Sequence, residues 1–154
     1  VKIAFGNDHA GAGLRDFLCV HLQECGHKLT DCGIRSVEPV DFPDIVEKVC
    51  GLVLDGTCDR GVIVCGTGVG ATIAANKFRG IRAALCHDAH SAHQCVEHDN
   101  CNVLCLGAQI IGPWLAQDII DRYLAARYVE MLPFSRRLAK VRAIEEGQRV
   151  APES

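Results

Sequence analysis

The sequence predicts an α/β fold: a three-layer sandwich in which a five-stranded parallel sheet is covered by helices on both faces. Three observations predict it. Five short apolar runs recur along the 154 residues, each of a length suited to a buried strand. Segments of helical character separate them, and regular alternation of this kind implies parallel strands joined by crossover helices. Glycine, proline and polar residues punctuate the junctions, with no repeat, low-complexity tract or interdomain linker between them. The layering expected is Rossmann-like, in one domain spanning residues 1–154.

The elements follow in order. Residues 2–6 form the first apolar run, and 11–24 the helix that returns from it. The second strand is 28–31 and the second helix 43–54. Residues 61–65, with Val62, Ile63 and Val64 in succession, are the most strongly strand-like run. A short helix at 70–76 follows. The fourth strand, 82–86, leads into a helix at 89–98, and the fifth, 102–107, into one at 113–126. The last segment, a helix of about 135–147, starts with Arg136 and Arg137 and carries Val141, Ala143 and Ile144 as an apolar stripe. No sixth strand follows it, so this helix is expected to make oligomer contacts.

Composition narrows the function. A net charge of −3, with no Lys/Arg block before Arg136-Arg137, gives no electrostatic footprint for nucleic acid. No apolar run has the length of a membrane span, and the first residues run straight into a strand pattern, so a cytoplasmic protein with a small-molecule partner is expected. Ten cysteines are many. They fall within helix and strand patterns of a chain large enough to need no staples, so most are read as small buried hydrophobes rather than a disulfide framework.

In sheets of this type ligands bind beyond the carboxyl ends of the strands. The residues expected there are Asn7-Asp8-His9, Cys65-Gly66-Thr67-Gly68-Val69-Gly70 and His87-Asp88. The second group carries most of the information. An apolar strand stops at a cysteine and turns through Gly66, Gly68 and Gly70, which let a ligand approach the main chain closely. Amides of such a loop stabilise a phosphate or a developing oxyanion. The Lys-Ser/Thr ending of an NTPase phosphate loop is absent, and the spacing does not fit the dinucleotide fingerprint. Cys86, His87, His90, His93, Cys95, His98 and Cys101 have the composition of a metal site but no standard ligand spacing, so no metal is expected.

With these pieces placed, the chain resembles the type B ribose-5-phosphate isomerase family, which includes allose-6-phosphate and galactose-6-phosphate isomerases. The matching segments are Asn7-Asp8-His9-Ala10-Gly11, Val40-Asp41-Phe42-Pro43-Asp44, Cys65-Gly66-Thr67-Gly68-Val69-Gly70, Ala74-Ala75-Asn76-Lys77 and Gly80-Ile81-Arg82-Ala83-Ala84. They continue through Ser91-Ala92, His98 and Asn102-Val103-Leu104-Cys105-Leu106-Gly107. The resemblance implies reversible aldose–ketose isomerisation of a sugar phosphate through an enediolate, without metal or organic cofactor. It implies that Cys65 is the base, with Gly66, Thr67, Gly68 and Gly70 absorbing charge on the substrate oxygen. Some relatives carry a glutamate base where this chain has Ala71, which places the chain in the cysteine branch. By the same resemblance His98 assists opening of the sugar ring from across a dimer interface, Asp8 holds sugar hydroxyls, and His9 contacts the far end of the substrate. A homodimer or homotetramer with shared active sites is implied.

Three departures bear on the substrate. The family's usual His-Asn-Asp reads His98-Asp99-Asn100, so a carboxylate at Asp99 replaces an amide that binds hydroxyls. The usual arginine of the fifth-strand loop is Gln109. In the C-terminal tail Arg137 is retained, with Arg136 as an extra neighbour, while the other usual cation is replaced. Arginine forks suit phosphate because they are permanently charged and bidentate. The expected substrate is ribose 5-phosphate, with another sugar phosphate or a free sugar as the alternative and a flavodoxin-like binding module as the non-enzymatic one.

Overall fold

The computed structural model describes residues 1–147. Five parallel strands, β1 (Lys2–Asn7), β2 (Lys28–Asp31), β3 (Arg60–Cys65), β4 (Ala83–Leu85) and β5 (Val103–Gly107), form one sheet in the order β2-β1-β3-β5-β4. The helices are α1 (Ala12–Glu24), α2 (Phe42–Leu54), α3 (Val69–Ala75), α4 (Ala89–Glu97), α5 (Pro113–Ala125) and α6 (Leu132–Glu145). The α/β sandwich that the alternation of patterns implies is therefore the one observed. Residues 148–154 of the expected single domain lie outside the described residues.

Strands buried on both faces are apolar at every position, and β3 and β5 show this: Val62, Ile63 and Val64, and Val103 to Leu106, are nearly inaccessible to solvent. Alternate side chains feed two cores. Phe5, Val62, Val64, Leu104 and Leu106 pack with α1, α4 and α5, around the fully buried Tyr123. Ala4, Ile63, Cys65, Val103 and Cys105 pack with α2 and α3. Each large side chain removed from water in this way contributes roughly 1.5–3 kcal/mol. Arg60, at the start of β3, donates to the carbonyls of Tyr123 and Ala126 and lies over the Tyr123 ring, tying the end of α5 to the sheet.

Most element bounds fall within one residue of the sequence reading, and two of the differences have a clear physical reason. β4 is shorter than 82–86, because it is an edge strand with β5 as its neighbour on one side. α6 starts at Leu132 rather than 135, with Pro133 in its first turn, where the missing N–H breaks no helical hydrogen bond. The strand order also departs from the flavodoxin order 2-1-3-4-5, since β5 is inserted between β3 and β4.

α6 belongs to neither helical layer. It lies beside the amino end of β4, where Glu145 accepts from the Gly80 amide at 3.0 Å and Glu146 pairs with Arg79 at 3.1 Å. Leu138 is buried, while Val141 and Ile144, two members of the apolar stripe, remain 53% and 64% exposed.

Candidate active site

Topology makes the crevice. The chain leaves β1 toward the face covered by α1 and leaves β3 toward the face covered by α3. Because β1 and β3 are neighbours, the loops diverge and open a cleft beyond their carboxyl ends. Asn7 pairs with Val64 and Cys65 with Gly107, so Asp8, Cys65 and the loop after β5 converge there.

Cys65 closes β3 with its side chain toward α3, only 5% exposed. The amide of Gly68 donates to its sulfur at 3.1 Å. That bend requires a left-handed residue, and Gly68 has φ of 79°. A methyl group at Gly68 would also stand 2.5 Å from Leu85 Cδ1 and 3.0 Å from the Leu106 carbonyl carbon. Thr72 holds the turn from the far side, with its amide and hydroxyl both donating to the Gly68 carbonyl, at 3.0 and 2.7 Å. Thr67 is exposed at the tip and its hydroxyl accepts from the Val69 amide at 3.4 Å. Gly70 lies on the ring of Phe42, where a Cβ would meet it at 2.7 Å.

On the β1 side, Asp8 is buried, and its Oδ1 accepts from the Gly11 amide at 2.9 Å. Its own amide donates to the Val64 carbonyl at 3.3 Å, which fixes it next to Cys65. His9 Nδ1 accepts from the Val40 amide at 3.2 Å. With Nδ1 engaged as an acceptor, a neutral His9 carries its proton on Nε2 and offers a donor. Asn7 braces the turn by donating to the carbonyls of Asp8 and Ile34, at 3.0 and 2.9 Å. The sequence places Asn7 at the ligand edge, and as a polar residue closing a buried strand it serves there to brace the loop.

The loop after β5 completes the cleft. Ala108 donates to the Cys65 carbonyl and Gln109 to that of Gly66, at 2.8 and 3.0 Å. The Gln109 side chain lies against Gly66, 3.3 Å from where a Cβ would stand, so Gln109 is at the site. Gly107 backs onto Thr67, where a Cβ would be 2.6 Å from the main chain. Its amide donates to His87 Nε2 at 2.9 Å.

The chain thus brings together Cys65, Gly66, Thr67, Gly68, Gly70, Asp8 and His9. It does not bring His98, Asp99, Arg136 or Arg137 to them. α4 starts at the carboxyl edge of the sheet and runs back, so its C-cap His98 is displaced from that edge by the helix length, roughly 13 Å. There His98 stacks on Phe134 of α6 with ring centroids 4.0 Å apart and an interplanar angle of 18°. Asp99 and Arg137 share a cavity of about 430 Å³ with Arg82 and Arg142. These residues form a second cluster at the opposite edge, beside α6.

The remaining cysteines are free thiols. Burial pushes Cys105 up to about 12 and Cys50 up to about 11, so both stay protonated packing groups. Of the histidines considered for a metal, His87 accepts from Gly107, His93 pairs with Glu97 at 3.1 Å, and His98 stacks on Phe134.

Comparison with known proteins adds three kinds of finding. The sequence model described as Ribose/Galactose Isomerase matches residues 3–141. Ribose-5-phosphate isomerase B of Escherichia coli (strain K12) is 42% identical over 145 residues, covering 94% of this chain and 97% of that protein. D-erythrulose-4-phosphate isomerase of Pectobacterium atrosepticum is 39% identical over 132 residues, covering 83% and 85%. Among solved structures, Clostridium thermocellum ribose-5-phosphate isomerase B superimposes with a TM-score of 0.92 at 40% identity, covering 96% of this chain and 99% of the other.

Proposed function

Because the chain belongs to the ribose/galactose isomerase family, and is an aldose–ketose isomerase of the ribose-5-phosphate isomerase B kind, we propose that it interconverts ribose 5-phosphate and ribulose 5-phosphate with Cys65 as the base. The observation that carries this is the Gly68 amide bonded to the Cys65 sulfur, beside the buried Asp8.

In the forward direction the Cys65 thiolate removes the proton from C2 of the open-chain aldose. The electron pair moves through C1 to the carbonyl oxygen, giving an enediolate and a neutral thiol. The loop 66–70, with the Thr67 hydroxyl, absorbs the charge on that oxygen. A proton passes between O1 and O2, and the thiol returns its own to C1, forming the ketose. No proton is gained or lost overall, and no metal or organic cofactor is required. Asp8 holds the sugar hydroxyls, and His9 offers Nε2–H toward the far end of the substrate.

Ring opening needs a proton donor and acceptor near neutral pH, which suits an imidazole. His98 of the partner subunit fills that role, with the partner's Asp99 on the hydroxyls and the partner's Arg136 and Arg137 on the phosphate. Support comes from their common location beside α6, where Val141 and Ile144 are uncovered within this chain. A homodimer or homotetramer with sites shared between subunits follows.

One observation favours a second substrate reading. Gln109 presents a neutral carboxamide beside Gly66 where an arginine is usual. A shorter, different or unphosphorylated sugar would then be preferred. Steady-state kinetics on ribose 5-phosphate, erythrulose 4-phosphate and free ribose tests this. Saturation by ribose 5-phosphate at millimolar concentration or below supports the first reading, and selective turnover of another sugar supports the second.

A further inference from the structure

A cluster with different chemistry lies at the amino edge of the sheet, away from Cys65. His21 stands in the last turn of α1 and Cys25 caps that helix, four residues on and on the same face. Asp121 reaches them from α5, 100 positions later in the chain. His21 Nε2 is 2.7 Å from Asp121 Oδ1 and 3.7 Å from Cys25 Sγ. One ligand atom from each residue lies within 4.8 Å of the other two.

We propose that His21, Cys25 and Asp121 form a binding site for a thiophilic divalent cation of the zinc class. Imidazole nitrogen, thiolate sulfur and carboxylate oxygen are the donors such an ion takes. With bonds of roughly 2.0–2.3 Å, a tetrahedral site needs an N···S edge of about 3.5 Å and an N···O edge of about 3.3 Å. The first edge is nearly in place. The second opens by roughly half an ångström as the His21–Asp121 hydrogen bond gives way to two bonds to the metal. A sulfur donor disfavours magnesium and calcium, which take oxygen ligands.

The surroundings favour a cation. His21 and Cys25 sit at the carboxyl end of α1, where the helix dipole is negative. Cys25 is exposed, so an ion enters from solvent. A solvent molecule is the fourth ligand, since among the described residues the group comprises these three side chains. On binding, the Cys25 thiol loses its proton to solvent, and the ion holds α1 against α5. A simple ion pair would hold the helices together without metal.

Titration of the reduced protein with cobalt(II) distinguishes the two. The expected result is one equivalent bound, with a thiolate-to-cobalt charge-transfer band in the near ultraviolet and the visible bands of tetrahedral cobalt. Cys25→Ser should lose the charge-transfer band and bind at least about tenfold more weakly, Asp121→Asn should weaken binding similarly, and Cys65→Ala should keep both band sets. Zinc should raise the melting temperature of the wild-type protein and not of Cys25→Ser. Undiminished bands in Cys25→Ser, or no binding of cobalt or zinc below millimolar concentration, would overturn the proposal. None of these readouts depends on isomerase activity.

Discussion

The amide of Gly68 donates to the sulfur of Cys65 across 3.1 Å, so thiol and loop form one unit. The amide is supplied by a residue at φ 79°, where a side chain costs roughly 1–2 kcal/mol. Contact of a new methyl with Leu85 and Leu106 adds to that cost. Gly68→Ala should therefore destabilise the fold by about 2–4 kcal/mol and lower kcat by at least about tenfold. Urea unfolding together with kinetics below the transition checks both. A variant of unchanged stability and rate would mean that the turn does not depend on its left-handed residue.

Cys65 and His98 lie at opposite edges of the sheet in one chain, which makes a subunit-mixing experiment decisive for the shared site. Cys65→Ala and His98→Ala should each be nearly inactive as pure proteins. Unfolded together and refolded in equal amounts, a two-fold dimer with one intact site per mixed pair should recover about a quarter of wild-type activity. Absence of recovery, with mixed dimers demonstrated by mass spectrometry, would rule out a site built from two chains.

Gln109 lies against Gly66 at the mouth of the cleft. Replacing a neutral amide by a guanidinium adds a charge-assisted hydrogen bond to phosphate, so Gln109→Arg should lower KM for ribose 5-phosphate by roughly tenfold. KM for free ribose should hardly move. Equal effects on the two sugars would place the phosphate elsewhere.

Asp88 caps α4, accepting from the Ser91 amide and hydroxyl, each at 2.7 Å. These bonds hold its carboxyl below the ordinary 3.8. A carboxyl with a lowered folded pKa adds stability that is complete above about pH 4 and fades as pH falls through the folded value. Wild type should therefore melt above Asp88→Ala by a constant margin from neutral pH down to about pH 4, and the margin should close below it. A gap that closes between neutrality and pH 5 would point to another titrating group.

Thiol reactivity should follow burial. Iodoacetamide should modify the exposed Cys25 first and leave Cys50 and Cys105 unmodified until the protein unfolds, since burial keeps both protonated. Peptide mapping after short exposure checks this order. Early labelling of Cys105 would indicate that the sheet opens readily.

Local pattern made much of this molecule readable. Val62-Ile63-Val64 announces a central strand because both faces of β3 are buried, and Cys65 with its glycines announces a ligand turn because few other sequences bend so sharply after a strand. Long-range order was less accessible. Nothing near β4 or β5 says that β5 inserts between β3 and β4, since that choice rests on how α4 packs against α5. β4 is shorter than its apolar run because edge strands and the loops around them share similar residues, and pairing with β5 covers only Ala83 to Leu85. The meeting of His21 and Asp121 left no trace in sequence spacing, because it depends on two helices lying side by side on the sheet.

In the proposed mechanism Cys65 carries the proton between neighbouring carbons of a sugar phosphate. The most direct measurement follows ribose 5-phosphate in deuterium oxide by NMR, with wild type and Cys65→Ala compared at equal concentration of folded protein. Wild type should produce ribulose 5-phosphate that carries deuterium at C1 in the fraction of turnovers in which the Cys65 thiol exchanges with solvent before returning its proton, while Cys65→Ala should fall by at least about a hundredfold in both turnover and exchange, as loss of a general base predicts. Undiminished turnover and exchange by Cys65→Ala would exclude Cys65 as the base.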